Sequence, residues 1–459
     1  MYKINFHHPI HIHFIGIGGI SMSGLAEILL QEGFPISGSD AKESELTHKL
    51  SGLGASIYYG QSAENIKEDI QLVVYTAAIH PDNPEWKEAQ RLGLPLLSRA
   101  ELLGQIMDNY KISIGVSATH GKTTTTSMIT QILLAEHADP TVSVGGILES
   151  IGGNIRVGSS DVFLTEACEY TNSFLKLNPR YALILNIEED HMDFFKDLED
   201  IRNSFREFAR KVPKDGKVII NGEITDFQEI TDGAQGQIIT FGLAPSNEYY
   251  ADDIQFHAQR FTTFSLMHKN QSLGTIKLHT PGTHNVLNAV AAAAFALELN
   301  ISFDVIAEAF HDFKAPNRRF QYKGTLNNVA IYDDYAHHPQ EITAALEAAK
   351  TYPHERIICV FQPHTYTRTQ KFLKEFAVSL SKADIVVLAD IYAAREKNTL
   401  GISSADLLQE LKKLGSECYY FPDFDEIENF LLEKCMNGDM LITMGAGDIL
   451  QVGEHLLGQ

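Results

Sequence analysis

The most informative segment of this chain reads Ser117-Ala118-Thr119-His120-Gly121-Lys122-Thr123-Thr124-Thr125-Thr126. It follows a short apolar run at 112–116 and precedes an apolar-periodic segment at 127–136, so we predict a strand, a tight loop and a helix. Free backbone N–H groups at such a helix start bind phosphate. Lys122 adds a positive charge and Thr123 a hydroxyl for Mg²⁺, so the segment is a P-loop that predicts ATP binding.

This P-loop is a variant, because Val116 stands five residues before Gly121, where the usual first glycine would be. The motif alone therefore does not specify a reaction.

Length and composition restrict the function further. The 459 residues suffice for about three domains. The net charge of −22 disfavours nucleic acid, which needs a basic surface. The longest apolar run, 289–297, is shorter than the ~20 residues of a membrane span. The four scattered cysteines lack the spacing of a zinc site or disulfide framework, so we expect a cytoplasmic protein without membrane insertion, whose oligomeric state stays open.

Short β-rich runs alternate with helical patterns along the whole chain, which predicts an α/β fold with mainly parallel sheets. We expect three domains, at 1–108, 109–314 and 315–459: a Rossmann-like N-terminal domain, a central P-loop domain and a Rossmann-like C-terminal domain. The main predicted strands cover 10–15, 34–37, 72–76, 112–116, 161–165, 181–187, 218–221, 330–333, 357–361, 385–389 and 440–444. A β-rich region covers 238–278, and helices are predicted at 21–31, 203–212 and 285–299.

A glycine-rich turn follows the first predicted strand. Gly16, Gly18 and Gly19 permit a tight turn and a close approach to a diphosphate at a helix start. Asp40 follows the second strand, where a ribose hydroxyl is bound in dinucleotide folds. The final glycine of the dinucleotide pattern is displaced to Gly24, so a plain tight turn is the alternative interpretation.

Polar residues follow three strands of the central region. These are the P-loop, Glu166 and the segment 188–191, which ends in His191. Because ligands collect at the carboxyl ends of parallel strands, we expect these groups to surround the ATP phosphates. Glu166 suits Mg²⁺, which prefers oxygen ligands, whereas His191 is equally well interpreted as a buried structural histidine.

The motifs after residue 280 each allow both a structural and a ligand-binding interpretation. Asn285 opens the Ala-rich helix, where it serves as a cap or presents its amide to adenine. Of the paired arginines 318–319, one is predicted to clamp a γ-phosphate, although such a pair is more often a solvated surface feature. The segments 333–339 and 362–369 end neighbouring strands, so we expect them to share one rim of the third sheet.

Together these motifs resemble the Mur ligase family over essentially the whole chain. The resemblance rests on the order and spacing of segments 16–20, 119–125, 186–193, 282–289, 318–320, 333–339, 361–369 and 444–448. It implies an ATP-dependent, amide-forming ligase of cytoplasmic peptidoglycan precursor synthesis. Within the family, 361–364 with Arg368 favours the reaction that joins L-alanine to UDP-N-acetylmuramate through an acyl phosphate, releasing ADP and phosphate.

The resemblance also implies roles for individual residues. The three domains would bind the UDP-sugar, ATP and the amino acid in that order. By position in the motifs, the diphosphate of the UDP-sugar would contact Gly16, Gly18 and Gly19, with Asp40 nearby. The ATP phosphates would be bound by Thr119, His120, Gly121, Lys122, Thr123 and Thr124, the γ-phosphate also by Arg319, and Mg²⁺ by Thr123, Glu166 and His191. Asn285 would contact adenine, Asp333 or Asp334 the ribose, and His364 and Arg368 the amino acid.

The chain departs from the family pattern at several positions. Ala118 replaces a glycine, Glu166-Ala167-Cys168-Glu169-Tyr170 replaces an acid–serine–acid version, Thr365 replaces a frequent arginine, and Ala315-Pro316 replaces a Gly-Val hinge. No lysine between 191 and 211 is assigned as the carbamylated lysine of some relatives.

Three other functions stay open at this point. A recycling ligase that adds a murein tripeptide to the same UDP-sugar shares almost every motif. A folate-tail ligase shares the central and last domains but has no use for the glycine-rich first domain. A nucleotide-switch binding protein would turn over ATP independently of any UDP-sugar.

Overall fold

The computed structural model describes residues 2–76, 79–192, 194–257, 261–394 and 396–459. It has the predicted α/β fold, with three sheets whose strands alternate with helices. By packing, the chain divides into a first unit (Met1–Tyr250, His268–Asn270 and Val290–Ala309) and a second unit (Ala251–Met267, Gln271–Ala289 and Phe310–Gln459). The domain limits at 108/109 and 314/315 stay predictions.

The first sheet lies near the N-terminus. Its elements are β1 (Ile12–Ile15), α1 (Ile20–Gln31), β2 (Ile36–Asp40), α2 (Glu45–Gly52), β3 (Ser56–Tyr59), β4 (Leu72–Tyr75), α3 (Pro84–Arg91), β5 (Leu96–Ser98) and α4 (Arg99–Met107), with a 3-10 helix at Ala63–Asn65. The five strands are parallel, in the order β3-β2-β1-β4-β5. All four residues of β1 are buried, as expected of a central parallel strand covered on both faces.

The second sheet contains the P-loop strand. Its elements are β6 (Ile112–Ser117), α5 (Lys122–Ala135), β7 (Thr141–Leu148), β8 (Gly153–Arg156), β9 (Val162–Glu166), β10 (Tyr181–Ile184), α6 (Leu198–Ala209), β11 (Lys217–Asn221), α7 (Phe227–Thr231), β12 (Gln237–Gly242), β13 (Tyr249–His257), β14 (Phe261–His268), β15 (Gln271–Leu278), α8 (Thr283–Glu298) and α9 (Phe303–His311), with 3-10 helices at Glu149–Ile151 and Tyr170–Lys176. The order within the first unit is β12-β11-β10-β6-β9-β7-β8, and β13, β14 and β15 are neighbours in that order. The P-loop strand β6 therefore lies between β10 and β9, which carry the other polar strand ends.

The third sheet lies in the second unit. Its elements are β16 (Gln321–Leu326), β17 (Val329–Asp334), α10 (Pro339–Ala349), β18 (Ile357–Phe361), α11 (Tyr366–Lys371), α12 (Leu373–Leu380), β19 (Ile385–Leu388), α13 (Ser404–Lys413), β20 (Glu417–Tyr420), α14 (Phe424–Lys434), β21 (Met440–Met444) and α15 (Leu450–Leu456). The order is β16-β17-β21-β18-β19-β20, antiparallel only at the edge pair β16–β17. The carboxyl ends of β17, β21 and β18 therefore share one edge.

Two glycines allow helices of the first unit to pack closely on neighbouring elements. A Cβ atom at Gly104, in α4, would lie 2.0 Å from the carbonyl oxygen of Lys176. A Cβ atom at Gly24, in α1, would lie 2.1 Å from the Ile155 side chain on β8. Neither space admits a side chain, so glycine at these two positions permits α1 and α4 to pack directly against the second sheet and its 3-10 helix.

Several predicted elements differ in extent from the observed ones, and the contacts explain two of these differences. Strand β10 ends at Ile184 rather than at residue 187, because the Asn186 carbonyl accepts the Thr119 amide and turns toward the P-loop. Helix α6 begins at Leu198 rather than at residue 203, because Asp197 caps it by accepting the Asp200 amide at 2.9 Å. Within the described residues, no helix combines the length and apolar character needed to cross a membrane.

Candidate active site

The P-loop turn is fixed by one glycine and one asparagine. Gly121 has φ +87° at the start of α5, a left-handed conformation that glycine adopts without strain. The His120 amide donates to Asn186 Oδ1 at 2.8 Å, and Asn186 Nδ2 donates to the His120 carbonyl at 2.9 Å. The loop that follows β10 therefore braces the P-loop from 66 residues away in sequence.

Lys122 is held inside the loop by an ion pair. Its ammonium donates to both carboxylate oxygens of Glu169, at 2.9 and 3.1 Å, and to the carbonyls of Ala118 and Thr119. Burial lowers the pKa of Lys122, but the Glu169 carboxylate outweighs it, so the net pKa lies above its usual value. The lysine is therefore a permanent positive charge at the phosphate-binding turn.

Glu169 also faces His191. The His191 Nε2 atom lies 3.6 Å from Glu169 Oε1 and 3.7 Å from Asp190 Oδ2. Its ring is stacked on Tyr170, with centroids 4.4 Å apart and planes 28° from parallel. Glu169 was not among the predicted site residues, although its position three residues after Glu166, beyond the same strand, was a usable signal.

The other predicted phosphate and metal residues surround this centre. Glu166 ends β9 and accepts the Gly145 amide at 2.7 Å. Thr119 Oγ1 accepts the Glu188 amide at 2.9 Å. Thr123 and Thr124 lie in the first turn of α5. The three strand ends thus meet as predicted, while the roles of these residues stay predictions.

The donor chemistry of this centre suits Mg²⁺ in company with phosphate. Within the described ranges, no three His, Cys, Asp or Glu side chains are grouped so as to hold a metal ion by themselves. Mg²⁺ is usually held by one or two carboxylates together with phosphate oxygens. The Glu166 carboxylate and the Thr123 hydroxyl fit that pattern. Asp193, at the end of the 186–193 motif, lies outside the described residues.

The glycine-rich turn is held by the residue predicted to bind ribose. Gly16 has φ +85°, and its amide donates to the Ser39 carbonyl at 2.8 Å. The Gly18 amide donates to Asp40 Oδ2 at 2.8 Å. A Cβ atom at Gly18 would lie 2.8 Å from that oxygen, so the close approach requires glycine. Asp40 therefore stabilises the turn, and its contact with a substrate stays a prediction.

In the second unit, the structure separates the paired arginines. Arg318 has φ +63°, and its guanidinium donates to Asp333 Oδ2 at 2.9 Å and to the carbonyls of Gly445 and Gly447 at 2.6 and 2.9 Å. The Arg319 guanidinium lies 5.5 Å from the Tyr335 ring centroid and has no hydrogen bond to another described residue. Arg318 is thus a structural residue, and Arg319 is the arginine available to a ligand.

The two aspartates at the end of β17 also differ. Asp333 is 1% exposed and accepts from Arg318 and from the Thr443 hydroxyl at 2.8 Å. Asp334 accepts the amides of Phe320 and Ala336, at 2.8 and 2.7 Å. Burial raises the pKa of Asp334 to about 6. Both ribose contacts stay predictions, and Asp333 already has its carboxylate bound within the fold.

The predicted amino-acid residues share the rim formed after β17 and β18. The His364 ring lies 5.7 Å from the His337 ring and, nearly parallel, 5.7 Å from the Tyr392 ring. Its buried Nδ1 atom has no partner among the described residues. Burial, with the nearby His337 and Arg368 charges, lowers the pKa of His364 to about 4, so this imidazole is neutral near pH 7. His337 was not predicted, although it belongs to the 333–339 motif.

Asn285 is the third residue of α8 and is buried. Its Nδ2 atom donates to the Pro281 carbonyl at 2.6 Å, and Asn288 Nδ2 donates to its Oδ1 atom at 3.5 Å. These contacts serve the helix start, so the bond to adenine stays a prediction. Burial lowers the pKa of the neighbouring His284 to about 4, and the Arg319 charge adds to this effect.

Three family models match consecutive parts of the chain. They are described as the Mur ligase family catalytic domain (residues 11–111), the Mur ligase middle domain (116–296) and the Mur ligase glutamate ligase domain (318–447). The chain belongs to the Mur ligase family. The resemblance predicted from the motifs is therefore confirmed over most of the sequence.

Individual relatives agree with this assignment. The chain is 59% identical to the UDP-N-acetylmuramate–L-alanine ligase of Agathobacter rectalis, over the full length of both. It is 30% identical to the solved UDP-N-acetylmuramate–alanine ligase of Thermotoga maritima, with a TM-score of 0.79 and 98% of each chain covered. The murein peptide ligase of Psychrobacter arcticus is 23% identical, with a TM-score of 0.69 and 98% of each chain covered, and shares the fold.

Proposed function

We propose that this chain joins L-alanine to the carboxylate of UDP-N-acetylmuramate, driven by ATP, in peptidoglycan precursor synthesis. The observation that carries the proposal is the full-length identity of 59% to a relative of that name. The intact P-loop centre around Lys122 and the histidine rim around His364 support it, because the reaction needs a phosphate site and an amine site.

In the first step a carboxylate oxygen of the muramyl group attacks the γ-phosphorus of ATP, and the bond to the β–γ bridging oxygen breaks. The products are an acyl phosphate and ADP. Lys122 neutralises the negative charge on the transferring phosphoryl group, and Arg319 contacts the same group. The backbone amides at the start of α5 bind the phosphates.

Mg²⁺ is part of the same proposal. Thr123 and Glu166 would hold one ion with the phosphates, and His191 would reach a second. Bound there, the ions would neutralise charge on the phosphates. Glu169 contacts Lys122 and faces His191, so its carboxylate would interact with both the lysine and the ion near His191.

In the second step the amine of L-alanine attacks the acyl carbon, and a tetrahedral intermediate expels phosphate. Arg368 would pair with the amino-acid carboxylate, for which a guanidinium is well shaped. The neutral imidazole of His364, with its unpartnered Nδ1 atom, would accept a hydrogen bond from the attacking amine. The adenine and ribose contacts of Asn285 and Asp334 belong to the proposal as well.

An assay of phosphate release tests the function. With UDP-N-acetylmuramate and L-alanine together, the wild-type chain is expected to release phosphate, and with either substrate alone it is not. Lys122→Ala is expected to abolish release because the transferring group loses its counter-charge. Lys111→Ala is a matched control, since Lys111 is 78% exposed and pairs only with Asp161 among the described residues.

Product masses separate the alternatives. The recycling ligase would consume L-alanyl-γ-D-glutamyl-diaminopimelate, a murein tripeptide, and not L-alanine. A nucleotide switch would release phosphate without any UDP-sugar. Either result would overturn the proposal.

A further inference from the structure

A cavity of about 170 Å³ lies in the first unit, next to the Lys122 centre, with which it shares Glu166. Its wall is contributed by α1 and α4 on one side and by β7, β9 and the 170–176 3-10 helix on the other. Its polar lining includes Ser21, Arg99, Ser143, Glu166 and Ser173. Helix α1, which follows the glycine-rich turn, and the predicted Mg²⁺ ligand Glu166 therefore line the same cavity.

Arg99 is the unusual residue of this wall. It opens α4 and is partly buried. Its guanidinium has no hydrogen bond and no carboxylate within 4.0 Å among the described residues, although the chain has 59 acidic residues against 37 basic ones. A partly buried cation without a counter-charge favours the binding of an anion.

The position of Arg99 is set by close packing. Helix α4 meets the 3-10 helix so tightly at Gly104 that no side chain fits there, and α1 is fixed in the same way at Gly24. This packing places the backbone of Arg99 beside the cavity, and the Arg99 side chain lines it. The planar guanidinium carries paired N–H donors that match the two oxygens of a carboxylate, so it can orient such a ligand as well as attract it.

The remaining wall indicates the kind of anion. Three hydroxyls, from Ser21, Ser143 and Ser173, suit the hydroxyl and amide groups of a sugar. Without bound Mg²⁺, the Glu166 charge repels a carboxylate that approaches it, so an acidic sugar that binds before ATP needs a cation in the same cavity. A diphosphate has a separate candidate position at the start of α1, just after the glycine-rich turn, where the first-turn backbone amides have no partner within the helix.

We infer that this cavity receives the N-acetylmuramyl group and that Arg99 binds its carboxylate. Arg99 thereby holds the nucleophile beside Glu166, at the edge of the phosphate centre, before transfer. The inference rests on the proposed function and adds a substrate-positioning residue to it.

The test compares Arg99→Met, which removes the charge at similar size, with Arg99→Lys, which retains it. Isothermal titration gives the Kd of UDP-N-acetylmuramate without ATP, so binding is measured independently of turnover. Arg99→Met is expected to raise this Kd roughly 10- to 100-fold, the effect of losing a hydrogen bond between charged groups. Arg99→Lys is expected to recover part of the loss, because it keeps the charge but not the fork geometry.

A competition arm distinguishes the carboxylate from the diphosphate. The inhibition constant of UDP against UDP-N-acetylmuramate is expected to change less than twofold in Arg99→Met. An equal rise for UDP would assign Arg99 to the diphosphate and overturn the inference. KM values for ATP and L-alanine are expected to stay at the wild-type level.

Arg91→Met is the matched control. Arg91 ends α3 in the same sheet region but is exposed and pairs with Glu88. It is expected to bind UDP-N-acetylmuramate like the wild type, and thermal melting checks that all variants fold. Wild-type affinity in Arg99→Met would overturn the inference while leaving the ligase reaction intact. A wild-type chain that binds the UDP-sugar but never releases phosphate would instead refute the proposed function.

Discussion

Replacing Glu169 with glutamine removes the carboxylate that neutralises Lys122 and keeps nearly the same side-chain volume. Glu169 is 3% exposed and Lys122 16% exposed, so solvent screens the pair weakly. Breaking a buried ion pair costs roughly 3–5 kcal/mol. Because Lys122 keeps two carbonyl acceptors, we expect the lower end, about 3 kcal/mol of unfolding free energy. The fluorescence of Trp86, the single tryptophan, reports unfolding of the first unit in urea.

A double-mutant cycle measures the coupling between Lys122 and Glu169 directly. Lys122→Met combined with Glu169→Gln removes both charges, so we expect the double variant to be more stable than Glu169→Gln alone. As a surface control, Asp161→Asn breaks the exposed pair with Lys111 and is expected to cost less than about 1 kcal/mol. If the double variant showed the sum of the two single losses, the two groups would not be coupled and the reasoning would be refuted.

Three further predictions concern the rest of the site. Arg319→Ala is expected to lower kcat roughly 100-fold with little change in ATP affinity. Arg318→Ala is instead expected to cost about 3 kcal/mol of unfolding free energy, because Asp333 loses its buried counter-charge. If Arg319→Ala kept the wild-type kcat, the assignment of a ligand contact to Arg319 and a structural role to Arg318 would be contradicted. Tyr170→Ala is expected to lower kcat about 3- to 10-fold by releasing the His191 ring, and Tyr170→Phe to retain activity; equal losses would point away from stacking. The folded pKa of His364, about 4, lies below its unfolded value, so its stabilising contribution is complete above pH ~6.5 and is lost as the pH falls toward 4. His364→Gln should flatten the thermal stability profile in that range, and an unchanged slope would refute this.

The strands and helices were predictable where local pattern determines them. The strands at 357–361 and 440–444 were predicted with their observed bounds, because each is a fully buried apolar run. Helix α6 was predicted to start too late because the Asp197 cap was overlooked. Strand β10 was predicted too long because Asn186, at its apolar end, turns to brace the P-loop instead of pairing in the sheet.

The sequence predicted which residues of the candidate site lie close together, but not which of them contact each other. The rule that parallel strands share a carboxyl edge brought Lys122, Glu166 and His191 into one group. It did not reveal that Glu169 neutralises Lys122, since both acids follow the same strand and only the turn geometry selects between them. The same rule does not distinguish Arg318 from Arg319. The family resemblance selected Arg319, and the structural role of Arg318 became visible only with its left-handed backbone and its bond to Asp333.

The sequence by itself determined the phosphate-binding turn, the α/β alternation and the family, because these depend on neighbouring residues and on the order of motifs. Only the tertiary structure decided which charges are neutralised. Glu169 reaches Lys122 across 47 residues, and Gly447 reaches Arg318 across 129. It also left Arg99 as a cation without a carboxylate partner among the described residues, at a cavity formed by segments distant in the chain. Such pairings depend on distances through space, which residue spacing along a chain does not specify.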